Sequence, residues 1–113
     1  MPKAIFIHDG SAIDYTPASN VQAGGVVVQG ELVGVAKQPI AASALGALAV
    51  AGVFDFPKVT GGGSAIGAGI NVYWDATNGV ATTDADGGAN KHLGKTVRAA
   101  GDDAETVRVR LNQ

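Results

Sequence analysis

The sequence predicts an all-β fold: a compact antiparallel barrel or sandwich with Gly-rich loops and little or no helix. Composition is the first reason. Among 113 residues stand 17 glycines, 20 alanines and 14 valines, with only 16% charged and 5% aromatic positions, which suits short strands and many turns. Pattern is the second, because brief apolar runs recur between turn signals without a strand–helix alternation or a repeat of fixed period. A chain this short has room for one core. We expect a single globular unit in which an amino-terminal arm, residues 1–22, packs partly on a β domain, residues 23–113.

Gly24–Gly30 and Leu32–Ala36 alternate β-branched residues with glycines, as two short strands joined by a tight turn do. The longest uncharged stretch, Gln38–Phe54, is interrupted by Pro39. It falls short of the roughly 20 apolar residues of a membrane span, so it reads as core. Within it Ile40–Ala51 is ambiguous. Pro39 at a first helical position and the alanines favour a helical turn, whereas Gly46 and Gly52 interrupt it. Leu48, Val50, Phe54 and Phe56 would share one face of an extended strand. The expectation is a long bent strand ended by Pro57, with a helical turn left open.

Thr60–Ser64, with three successive glycines, is a loop. Asn71–Asp75 and Val80–Thr83 flank Thr77-Asn78-Gly79, whose residues suit the positive φ of a hairpin turn. Asp84–Asn90 reads as a solvent loop, His92–Ala99 as a strand, and Gly101-Asp102-Asp103 as a turn. Thr106–Leu111 alternates without error, placing Val107, Val109 and Leu111 inward and Arg108 and Arg110 outward. Trp74 is expected inside with Val72 on the opposite side, and Tyr73 outward as a candidate contact residue, since amphipathic aromatics often anchor interfaces.

The chemistry-bearing motifs are weak. Gly88–Thr96 resembles a phosphate-binding loop, but five residues separate its glycines where four are required, Ala89 stands where the first glycine belongs, and strand rather than helix follows. Gly61–Gly69 offers no G-x-G-x-x-G register and reads as a flexible connection. His8-Asp9-Gly10-Ser11 gathers the residue types of a hydrolytic triad, yet strand neighbours point to opposite faces, so a turn explains it better. His92 has no ligand partner nearby. Asp84, Asp86 and Asn90 lack the Glu of a calcium loop, and Asp102, Asp103 and Glu105 read as a charged turn. With no cysteine, thiolate nucleophiles, disulfides and Cys-based zinc sites are excluded. A net charge of -2 disfavours dedicated nucleic-acid binding. The amino terminus has too short an apolar run for a signal peptide, so a cytoplasmic site of synthesis is expected. No catalytic residue, metal site or cofactor is assigned, and the chain is not expected to be an enzyme.

One combination is specific. Gly52-Val-Phe-Asp-Phe-Pro-Lys58, then Val72-Tyr-Trp-Asp75, then Val107-Arg-Val-Arg-Leu111 together resemble the small capsid cement, or head decoration, proteins of tailed bacteriophages, over about Ala23–Leu111. The chain departs from that family at Gly94-Lys95-Thr96, where Gly-Val-Ala is common. Some relatives carry a recombinase label. The ATP-binding loop, carboxylate partner and α/β core of such an enzyme are all missing here.

The resemblance implies a β-clip-like knob, a homotrimer, that binds the major capsid protein on the outside of the virion head and stabilises the mature shell. From the charge and the apolar-run lengths given above, no nucleic-acid or membrane partner is expected. The alternative is a small β-barrel module that binds a carbohydrate or single-stranded nucleic acid, which would call for exposed aromatics flanked by basic residues. For capsid or subunit contact we single out Lys3, Ile5, Phe6 and Tyr73. The arm Pro2–Ile7 is apolar and could add as a strand to a capsid edge or pair within its own domain.

Overall fold

Val50 and Ala51 carry the chain from one antiparallel sheet to another in the computed structural model, which describes residues 3–113. The first sheet contains β1 (Ala12–Tyr15), β2 (Val26–Gln29), β3 (Leu32–Val35) and β4 (Gly46–Ala49), in the order β1-β4-β3-β2. The second contains β5 (Gly52–Pro57), β6 (Asn71–Asp75), β7 (Val80–Thr82), β8 (Lys91–Thr96) and β9 (Thr106–Leu111), in the order β5-β9-β8-β6-β7. A single parallel bridge joins Lys58 to Ala81, so the second sheet curls towards its own far edge without closing as a barrel. Among the described residues the one helical element is a 3₁₀ turn at Asp86–Gly88, inside the expected solvent loop.

The two hairpins expected from glycine and asparagine placement are present, as is the alternation of β9, whose Val107, Val109 and Leu111 are buried. The long bent strand is not. Gly52, at φ +129°, breaks the extended run, so Leu48 and Phe56 lie in different sheets and no helix forms over Ile40–Ala51. A side chain at that φ would strain the backbone, and glycine permits the change of direction. Nor is Gln38–Phe54 core throughout: Ile40, Leu48 and Ala49 are buried, while Leu45 is 72% exposed and Ala41–Ala44 lie on the surface. Small alanine side chains hide little apolar area, so they do not force a stretch inward.

Two further expectations are corrected. Val72 and Trp74 are both buried, because residues two apart on a strand share a face. The strand read as His92–Ala99 ends at Thr96. There the buried threonine hydroxyl donates to the Gly67 carbonyl and accepts from the Ile70 amide, and the chain then turns to pair Ala100 with Ile66. No strand was read between His8 and Asn20, where β1 pairs with β4 from Ala12–Ala49 to Tyr15–Gly46.

The main core lies between the sheets. Phe56, Val72, Trp74, Leu93, Val107, Val109 and Leu111 of the second sheet pack with Val33 and Val35 of the first, and the Phe56 and Trp74 rings lie tilted 6.0 Å apart. A smaller cluster, Ala36, Ile40 and Leu48, sits under the first sheet with Ile13 and Val21 against it. Near the carboxyl end the Gln113 carboxamide accepts from the Val33 amide and donates to its carbonyl, at 2.6 and 2.7 Å. One side chain thus supplies the hydrogen-bonding edge of a strand and ties β3 to the segment after β9.

Candidate interaction surface

β8 contains a bulge: Val72 pairs with Gly94 and Tyr73 with His92, leaving Leu93 as the extra residue. Residues three apart normally face opposite sides of a sheet, and one inserted residue restores them to the same side. His92 and Lys95 therefore both project from the outer face, while Leu93 is fully buried. Gly94 makes the bulge possible. Its backbone runs so close to β9 that a Cβ would stand 1.9 Å from the Arg110 carbonyl oxygen.

The register assembles the remaining outer face. Val53, Arg110, Lys95 and Asn71 stand opposite one another across β5, β9, β8 and β6. In the next row Arg108 forks onto Asp55, with Nε–Oδ1 at 2.9 Å and Nη2–Oδ2 at 3.1 Å. That pair of charge-assisted bonds holds the Asp55 carboxyl below its ordinary value and raises Arg108. On the other side the half-buried Tyr73 ring leans on His92, centroids 5.4 Å apart. A shallow recess of about 60 Å³ opens between His92, Gly94, Lys95, Arg110 and Asn112.

Of the residues selected from sequence, Lys3, Ile5 and Phe6 belong to the exposed arm and Tyr73 to the second sheet. Residues 3–7 take no strand pairing, and Ile5, Phe6 and Ile7 are 83%, 80% and 78% exposed. Pro2, the first residue of the expected strand segment, lies outside the described residues. Of the three phenylalanines only Phe56 is fully buried and Phe54 partly so. The signal for Lys95 and Arg110 was half visible, since alternation put Arg108 and Arg110 outward. Their juxtaposition depended on the strand pairing and the bulge.

The other motifs resolve into turns. Asp75 accepts from the Thr77 and Asn78 amides and from the Asn78 side chain, and the Asn78 bonds lower its pKa. Asp84 accepts from the Asp86 amide, and the Asn90 carboxamide donates to the Asp84 carbonyl. No group of three metal-ligating side chains gathers among the described residues, and none of their helices is long and apolar enough to cross a membrane.

Lys58 was not anticipated. It is 5% exposed, and Nζ lies 2.7 Å from the Val59 carbonyl, 3.3 Å from Ser64 Oγ, 3.4 Å from the Asp102 carbonyl and 3.3 Å from the Ala104 carbonyl. A cavity of about 220 Å³ borders it, lined also by Ser64, Asp75 and Asn78. An ammonium spent on neutral oxygens holds loops together, here the Gly-rich loop and the turn after Gly101.

Neither a curated protein nor a solved structure matches the chain. A family model for phage cement proteins matches residues 7–111, taking in both sheets and the bulged face. The chain belongs to the phage cement protein family, whose members have a structural role on the phage capsid.

Proposed function

We propose that this protein binds the outside of the expanded phage head as a homotrimer and stabilises the mature shell. The observation that carries the reading, given the family, is the arm: Ile5, Phe6 and Ile7 stand largely in solvent. An exposed apolar run invites a partner. An extended segment with free backbone groups can add to a sheet edge, which gives the arm a way onto a capsid subunit, with Lys3 beside it. Each large apolar side chain so buried contributes about 1.5–3 kcal/mol. Three arms engaged together multiply that through effective concentration, and binding the mature shell alone stabilises it by mass action.

The test combines light scattering of the purified chain with cosedimentation on expanded heads that lack cement protein. A trimer that pellets with heads is expected, as is higher head stability to heat. Deleting residues 2–7 should leave thermal unfolding of the free protein unchanged and reduce head binding at least about tenfold. A wild-type chain that stays in the supernatant would sink the reading, and unchanged binding by the deletion would remove the arm from it.

A further inference from the structure

Lys95 and Arg110 are direct cross-strand partners on the outer face of the second sheet. Like charges in that position repel and weaken a sheet. The two ion pairs found among the described residues, Lys91–Glu31 and Arg108–Asp55, involve neither of them. Both side chains are exposed, and between them lies the recess that Gly94 leaves open. At about 60 Å³ it has the room of roughly two waters. A carboxylate group fits that space.

We propose that Lys95 and Arg110 form an anion-accepting docking row for an acidic segment of the capsid shell protein, one whose Asp or Glu carboxylate enters the recess beside His92 and Asn112. The inference rests on the capsid-binding reading and says which face is turned to the shell. Charge complementarity picks the occupant. Two cations held opposite each other on rigid strands are repulsive in the free protein, and a carboxylate placed between them reverses the sign of the interaction. The arginine fork adds geometric preference for a carboxylate. Single-stranded nucleic acid is disfavoured because successive bases need aromatic platforms. Among the described residues the rings on this face are Tyr73, half-buried, and the His92 imidazole on which it leans, and packed against each other they offer no row of platforms. Val53, opposite Arg110 and 57% exposed, supplies an apolar border to the row.

The experiment pairs two readouts on Lys95→Gln and Arg110→Gln. In the free protein each substitution removes the repulsion, so the unfolding midpoint should rise by about 2 °C. On cement-free expanded heads each should weaken binding about tenfold and flatten its dependence on salt. Loss of a merely structural side chain would lower the midpoint instead. Failure of the wild-type chain to bind heads would defeat the capsid reading itself. Wild-type binding matched by both variants would overturn this inference alone. Variants that change the oligomeric state without changing head binding would overturn it in favour of a second copy of the chain as occupant, and equal competition by oligo-dT and by poly-L-glutamate would refute the preference for carboxylates.

Discussion

Gly94→Ala offers the sharpest check on the bulged face. A Cβ at this position stands 1.9 Å from the Arg110 oxygen and 3.0 Å from both the Arg110 carbonyl carbon and the Asn112 amide. Since the ordinary carbon–oxygen approach is about 3.3 Å, β8 and β9 would have to part by about 1.4 Å, the difference from 1.9 Å. Ladder bonds such as Asn112 N–H to the Leu93 carbonyl, now 2.9 Å, would then stretch past any useful length. Losing two or three of them costs about 1 kcal/mol each, and the glycine-favouring φ of +155° adds about 1 kcal/mol more for a residue with a side chain. The expected loss is about 3–4 kcal/mol, a large share of a small domain's total stability. Thermal unfolding followed by circular dichroism should show the midpoint falling by about 12–16 °C. Gly62→Ala is the control, because nothing lies within 4 Å of its Cβ, and it should melt within about 3 °C of wild type. A Gly94→Ala protein that also melted within that margin would refute the close approach of β8 to β9.

Lys58→Met should cost about 2–4 kcal/mol, because the carbonyls of Val59 and Ala104 would lose the donor that Nζ supplies. Limited proteolysis should show faster cleavage between residues 59 and 65, and an unchanged digestion pattern would count against the lysine as the tie between these loops. Asp55 carries a pH dependence of known sign: its folded carboxyl titrates below the ordinary 3.8 because Arg108 bonds it. Its contribution is therefore present above that value and lost as pH falls through the lower folded one. Melting midpoints of wild type and Asp55→Asn, compared from neutral pH downward, should differ most near neutrality and converge in acid; a constant gap would contradict the Arg108 pairing.

Sequence patterning exposed those parts of the fold that local chemistry determines. Thr77-Asn78-Gly79 dictates its hairpin through residues that tolerate positive φ, and Val107, Val109 and Leu111 face inward by simple alternation. What stayed hidden depends on partners distant in the chain. A single glycine, Gly52, turned what read as one strand into members of two sheets. The strand at Ala12–Tyr15 has little pattern of its own and is defined by its pairing with β4. The bulge that brings His92 and Lys95 to one face can be seen only against the register of β6. Lys58 next to Pro57 resembled any surface lysine, and its carbonyl partners lie up to 46 positions away. The candidate contact surface was accordingly half legible: the apolar arm and Tyr73 could be named, while the cation pair required the assembled sheet.

The way Gln113 grips Val33, a separation of 80 positions, bears on the order of events during synthesis. Residues 12–49 reach the end of the ribosomal tunnel first and can pair among themselves. The inward sides of Val33 and Val35, however, await Leu93, Val107 and Leu111, which are translated last. A nascent chain halted before β9 exposes that apolar surface and has no clasp on β3, so native closure becomes a post-release step set by long-range encounters rather than local ones.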